Sequence, residues 1–534
     1  MRHLSGLLLA SAAIVALDGA PALAQSAAGA AITEKSISEL GAMMASGRMS
    51  SEAIAQAYLA RIAAMNRQGP KLRAVIAVNP DAIAAARAAD ARRKAGKRLG
   101  PLDGVPILIK DNIETLDPVA TTAGSLALKD NVTLRDAPVV AELRKAGAII
   151  LGKTNLSEWA NIRSSNSISG WSAIGGQVKN PYALDRTPCG SSSGTGSAVA
   201  ASFAAAGLGT ETDGSVVCPS SINGLVGLKP TIGLVSRSRV VPISHSQDTP
   251  GPMARSVTDA AILFSAMVAT DPTDPATKDA DAHKADFAAA LKSASLKGVR
   301  IAVLRPEMRP DMAARYAAAL DVLKAQGAVL VDVEQPKLDG LGEAEFQVLL
   351  TELKADLNSY LATTPAAVKT RTLADVIAFD EANKVAEMPF FGQETFIAAE
   401  KTRGLDDPEY LGARAKSLRL AGAEGIDVML AKANAAILVE PTTGPAWLVE
   451  PVYGDQGGGP SSSELPAVSG YPNLTVPMGL VKGLPVGLSF IGKPYSEATL
   501  FGAGYVFEQA SKARVAPRYL PQADIGPGQE GAAK

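Results

Sequence analysis

Two glycine- and serine-rich segments hold the hydroxyl groups best placed for chemistry in this sequence. The first is Cys189-Gly190-Ser191-Ser192-Ser193-Gly194-Thr195-Gly196-Ser197, which runs into a helical stretch from Ala198. The second is Gly209-Thr210-Glu211-Thr212-Asp213-Gly214-Ser215, following the apolar run Phe203 to Leu208. Small residues let a backbone approach a ligand closely and turn sharply, and successive N–H groups in such a turn hold an anion. A phosphate cradle at a helix start is one reading of the first segment. No Gly-Lys-Ser/Thr follows it, however, and neither segment has the G-x-G-x-x-G spacing of a dinucleotide turn after a strand. A serine beside an anion-holding turn suits acyl transfer, provided a base removes its proton.

Histidine is the usual base, and it is scarce: the chain has three, His3, His245 and His283. A metal hydrolase needs His and carboxylates at ligand spacing, such as H-E-x-x-H, and no such cluster exists. His283 lies in a polar stretch, 279–286, and reads as a surface residue. His245, in Ile243-Ser244-His245-Ser246-Gln247-Asp248, is the more plausible triad base, although a structural role is the commoner fate of such a residue. Lys110 is the other candidate. The apolar run Val105 to Ile109 leads into it, and burial lowers a lysine from its usual pKa of about 10.4 towards neutrality, where the amine accepts a proton. Pairing with the adjacent Asp111 would instead keep it charged and useless as a base. The residues alone leave both readings open.

The remaining composition narrows the class. With 52 basic and 53 acidic residues among 534, the formal net charge is −1. No long run of like charge points to nucleic acid or an anionic membrane. The chain is 47% hydrophobic, enough for a large core. Residues 1–24 read as a signal peptide: Arg2 and His3 at the start, an apolar run from Leu7 to Leu17, then Ala22-Leu23-Ala24 as a small-x-small cleavage site. That run is too short for a bilayer, which needs roughly 20 apolar residues. The expectation is an exported chain, periplasmic or secreted, that begins at Gln25 and has no membrane anchor. Its two cysteines, Cys189 and Cys218, exclude a Cys-rich metal site. Export permits a disulfide between them, and two small buried hydrophobes is the alternative.

The elements that must carry these residues alternate between helix and strand. Helical spacing covers Ser51 to Asn66, Pro80 to Lys94, Ala137 to Ala146, Ala313 to Gln326 and Glu497 to Ala510. Strand patterns cover Leu72 to Val78, Val105 to Ile109, Ala148 to Gly152, Val299 to Leu304, Val329 to Val333, Ala436 to Val439, Leu474 to Met478 and Val486 to Ile491. Such alternation predicts an α/β layered fold with helices covering a central sheet. Asp455 to Pro466 reads as an insertion loop and not a boundary, because strand signals resume after it. One large domain, 25–534, is expected, with 522–534 a disordered tail.

Taken together, the segments resemble the amidase signature family. Gly190-Ser191-Ser192 precedes Gly214-Ser215, with Ser191 and Ser215 separated by 24 positions. Asn223-Gly224-Leu225-Val226-Gly227-Leu228-Lys229-Pro230-Thr231, Gly104-Val105-Pro106-Ile107-Leu108-Ile109-Lys110-Asp111, Asp248-Thr249-Pro250-Gly251-Pro252-Met253 and Gly470-Tyr471-Pro472-Asn473-Leu474-Thr475-Val476-Pro477 also match. Within that family the likeness runs nearest to bacterial peptide amidases, through Thr210 to Pro219, Cys189 and Phe391-Gly392-Gln393-Glu394. Most relatives carry Asp where Glu211 stands and Gly where Asp213 stands.

The resemblance implies a single α/β domain with a central mixed β-sheet flanked by helices on both faces. It implies a Ser–Ser–Lys triad: Ser215 as nucleophile, Ser191 as relay and Lys110 as neutral base. It also implies a cis peptide between Gly190 and Ser191, an oxyanion hole from the backbone of Thr212, Asp213, Gly214 and Ser215, and scaffold roles for Gly190, Ser192 and Ser193. The implied substrate is a small amide or a peptide with a C-terminal carboxamide. No metal, organic cofactor, nucleic acid or obligate protein partner is called for. Hydrolysis of aliphatic, aryl or cyclic amides is the main alternative. The others are a non-catalytic periplasmic binding protein and an ammonia-transferring component of a transamidosome.

Overall fold

A computed structural model describes residues 27–524. The expected signal peptide, 1–24, lies outside these residues, as do positions 525–534 of the expected tail. Ala523 is buried beside Ala183, Ile222 and Leu484, so packed structure runs into the segment assigned to that tail.

The strands are β1 Val75–Val78, β2 Pro106–Lys110, β3 Ile149–Thr154, β4 Ala206–Glu211, β5 Val226–Lys229 and β6 Thr249–Ala254. They continue with β7 Arg300–Leu304, β8 Val329–Val333, β9 Ile437–Pro441, β10 Asn473–Val481 and β11 Leu484–Ile491. Among the described residues these eleven form one sheet in the order β1-β3-β2-β4-β6-β5-β10-β11-β9-β7-β8. Strand β2 runs parallel to β3 and β4, and β7 parallel to β8 and β9. The centre, from β4 through β6, β5, β10 and β11 to β9, is antiparallel. The expected mixed sheet with flanking helices is what forms. Every residue of β2, β3 and β4 is buried. Strands covered on both faces read as continuous apolar runs for that reason.

Local chemistry explains where some boundaries move. The helix Ser51–Met65 starts where expected because the Ser50 side chain accepts from the N–H of Ala53. The next helix is Ala82–Lys94 and excludes Pro80. Asn79 donates to the Ile150 carbonyl and accepts from the N–H of Asp81, so a side-chain turn occupies these residues first. The helix expected from Ala198 begins at Ser193. Its glycines would weaken it in isolation, but a Cβ on Gly194 would lie 2.3 Å from the Asn155 carbonyl oxygen. Close packing on the sheet outweighs propensity there.

The stretch 341–433 is helical throughout its regular elements, including Leu341–Ala362, Leu373–Ala382, Glu394–Glu400 and Pro408–Ala421. It departs from the strand–helix alternation. These helices bury Leu353, Leu357, Leu373 and Phe396 against Trp159, Leu128 and Val241, forming a second core beside the sheet.

Candidate active site

Parallel pairing brings the carboxyl ends of β2, β3 and β4 to one edge, at Lys110, Thr154 and Glu211. Ligand crevices in α/β sheets form at such edges. Lys110 is fully buried. Its Nζ lies 2.7 Å from Ser191 Oγ, 2.8 Å from Thr210 Oγ1 and 3.2 Å from the Thr210 carbonyl oxygen. Asn112 Nδ2 also donates to Thr210 Oγ1, at 3.0 Å. Burial lowers Lys110 to about 7, against the opposing pull of the Asp248 and Glu211 carboxylates. Asp111 turns away from it: its carboxylate is 3.2 Å from Lys153 Nζ and accepts from the N–H and hydroxyl of Thr122. The geometry thus removes the alternative in which Asp111 neutralises Lys110.

The two serine segments are laced together. The bond between Gly190 and Ser191 is cis. Ser192 donates its N–H to the Ser215 carbonyl at 3.1 Å. The Ser192 hydroxyl donates to the Thr210 carbonyl and accepts from the Thr210 N–H, while Ser193 Oγ lies 3.2 Å from Ser157 Oγ. A disulfide joins Cys189 to Cys218, which decides the question the two cysteines left open.

Residues 212–215 form a turn in which Gly214 has a φ of +77°, a conformation that costs an L side chain but not glycine. Thr212 Oγ1 donates to Asp248 Oδ1 at 2.5 Å, and Cys218 N–H donates to the Gly214 carbonyl at 2.8 Å. Among the described residues, no backbone or side-chain acceptor meets the N–H groups of Asp213, Gly214 or Ser215. The next two, on Val216 and Val217, are taken by Glu211 Oε2 at 2.7 and 2.8 Å. Glu211 therefore satisfies the start of the helix Val217–Ile222 and leaves the turn's own donors free. Burial raises the Glu211 carboxyl above its ordinary value, with Lys229 opposing. Asp248 is pushed up to about 6, also by burial. Asp213 stands beside Ser463, and burial raises it too. Its charge in turn adds to the burial that raises Glu345.

His245 takes no part in this constellation. Its Nδ1 lies 2.9 Å from Asp356 Oδ2, its N–H donates to the same carboxylate, and that partner raises its pKa. It ties the segment 243–248 to the helix Leu341–Ala362, a structural role. His283 stacks on Tyr495 with ring centroids 3.7 Å apart. Among the described residues, His245, Glu352 and Asp356 come close enough to share an ion. Both oxygens of Glu352 are already engaged, by Ser244, Ser246 and Tyr410. A cavity of about 490 Å³ lined by Arg135, Arg237, Arg239 and His245 includes none of Lys110, Ser191 or Ser215.

Sequence reasoning passed over Thr210 as a partner of Lys110, although it lies in a segment singled out for its small residues. It also passed over Asp455. That carboxylate accepts from the N–H and hydroxyl of Ser169 and from Trp447 Nε1, so the insertion loop is fastened beside the Gly190 segment. Its last residues enter the helix Glu464–Ser469.

The family model described as Amidase matches residues 53–501. A probable amidase of Arabidopsis thaliana is 37% identical, covering 96% of this chain and 97% of its own. A putative amidase of Schizosaccharomyces pombe is 32% identical, covering 91% of this chain and 87% of its own. The native peptide amidase from Stenotrophomonas maltophilia is 49% identical, with a TM-score of 0.86 over 91% of this chain and 99% of that one. The chain belongs to the amidase family and is an amide-hydrolysing enzyme. In structure it stands close to peptide amidase.

Proposed function

We propose that Ser215 is the nucleophile of a Ser–Ser–Lys triad that removes ammonia from C-terminal carboxamides of peptides. The observation that carries this reading is the buried Lys110 amine, 2.7 Å from Ser191 Oγ and, among the described residues, in no ion pair with a carboxylate. A neutral amine has two N–H donors and one lone pair. The Thr210 carbonyl and hydroxyl oxygens accept from Nζ, which leaves the lone pair for the proton of Ser191. The relay then runs Ser215 O–H to Ser191, and Ser191 O–H to Lys110, as Ser215 attacks the amide carbon. The relay then runs back, Lys110 returning one proton to Ser191 as Ser191 passes one to the leaving nitrogen, so that ammonia departs. Water then gives its proton to the same relay as it attacks the ester, and Ser215 regains one on leaving. The free N–H groups of the 213–215 turn supply donors for the oxyanion, each worth about 10² to 10³ in rate.

Ser215→Ala tests the assignment. It should lose turnover and labelling by a serine-directed fluorophosphonate; a fully active variant overturns the triad. Ammonia release from a C-terminally amidated dipeptide, compared with a fatty amide and an aryl amide, tests the substrate class. Preference for the dipeptide amide supports the narrower reading, and preference for either of the others replaces it. Export rests on Arg2, the Leu7 to Leu17 run and Ala22 to Ala24. N-terminal sequencing of the secreted protein should begin at Gln25.

A further inference from the structure

We infer that the Cys189–Cys218 disulfide is a positioning device for the two catalytic serines. This rests on the triad reading above. The bond closes a covalent ring across a sequence separation of 29, and both serines lie inside that ring close to its ends. Ser191 is two residues after Cys189, and Ser215 is three before Cys218. The crosslink thus holds the relay segment directly against the nucleophile turn.

The surroundings show why a covalent tie matters here. Cys189 has a φ of +54°, a left-handed conformation that a side chain with a Cβ resists. On the Cys189 side, its N–H donates to Thr187 Oγ1 at 3.0 Å, and its side chain packs in a small cluster with Ala183, Ile222 and Leu484. On the other side, the Cys218 N–H closes the first turn onto the Gly214 carbonyl. Across the gap between the relay and the nucleophile, the Ser192 N–H reaches the Ser215 carbonyl. The Ser192 hydroxyl also bonds the carbonyl and N–H of Thr210, but those contacts lie five residues before Ser215. At about 1 kcal/mol net per neutral hydrogen bond, the single bond at the nucleophile turn itself is too little to hold two hydroxyls to within tenths of an ångström. Proton relay through Ser191 demands that tolerance, since a misplacement of about 1 Å can cost 10²-fold in rate.

The test compares oxidised enzyme, reduced enzyme and the Cys189→Ala/Cys218→Ala variant. A dithiol supplies two electrons and two protons; the S–S bond becomes two thiols as the reagent closes to its own cyclic disulfide. Activity on an amide substrate and the rate of fluorophosphonate labelling are read at a temperature where circular dichroism shows each form folded. Both kcat and the labelling rate should fall at least tenfold, with KM within about twofold, and reoxidation of the reduced enzyme should restore them. A folded form without the bond that keeps kcat within twofold overturns the inference. So does loss of activity that only tracks loss of fold during stepwise reduction. Ser215→Ala serves as the control: if it is active, the triad itself is wrong, whereas an inactive control beside equal oxidised and reduced rates rejects the disulfide role alone.

Discussion

Replacing Lys110 by Met separates the charge of this residue from its bulk, because the two side chains are similar in length and only one titrates. Burial takes Lys110 from 10.5 to about 7, a difference of about 3.5 units, or about 5 kcal/mol at 1.36 kcal/mol per unit. The sign follows from proton counting. A lysine lowered in the folded state binds fewer protons there than in the unfolded chain, so its burial destabilises the fold at low pH and the cost fades as pH rises from about 7 towards 10.5. At pH 5 the full cost of about 5 kcal/mol applies; at pH 9 about 2 kcal/mol remains. Lost hydrogen bonds to Ser191 and Thr210 weaken the variant equally at both pH values. Urea unfolding should therefore show Lys110→Met gaining about 3 kcal/mol relative to wild type on going from pH 9 to pH 5. Wild-type kcat/KM should fall tenfold per pH unit below about 6, with the limb centred near 7. The variant should be slower by about 10³ at pH 8. A relative stability that changes by less than about 1 kcal/mol between the two pH values would mean the amine is charged throughout. A flat acid limb in the wild type would mean the same.

Other consequences follow from the neighbouring contacts. Lys153→Met leaves the buried Asp111 carboxylate without its cation and should cost about 3 to 5 kcal/mol in denaturant unfolding, whereas adding Asp111→Asn should recover part of it. An additive double variant would show that the pair does not interact. Glu211→Ala strips the acceptor from the Val216 and Val217 N–H groups and should cost about 2 kcal/mol or more, lowering Tm. A Tm within half a degree of wild type (a loss of about 2 kcal/mol should lower it by about 2 °C in a domain of about 500 residues) would show that those donors find another partner.

The candidate site was legible in sequence wherever it depends on residue type along the chain. Glycine and serine at 190–192 and 214–215 are needed because the backbone must turn sharply and expose a hydroxyl, and those demands are met locally. Lys110 stood out because an apolar strand leads straight into it, and β2 and β3 were readable because central strands have no polar face to interrupt them. The helical stretch 341–433 was not legible as a unit. Its apolar residues pack on loops from distant parts of the chain, such as Leu128 and Val241, and no local alternation announces such a surface. Likewise the start of the helix Ser193–Ala200 follows from contact with Asn155, against its own weak propensity.

The sequence by itself determined the kinds of group at the site, the order in which the chain presents them and the α/β character of the scaffold. Only the tertiary structure decided which of two acidic or hydroxyl neighbours Lys110 meets. Lys153 pairs with Ile109, the residue before Lys110 in β2. A strand directs consecutive side chains to opposite faces, so Asp111, just past the end of β2, meets Lys153 while Lys110 reaches Ser191, 81 positions along. The charge on the amine depends on that choice and on exclusion of water by the surrounding sheet, both of which are properties of residues brought together from afar.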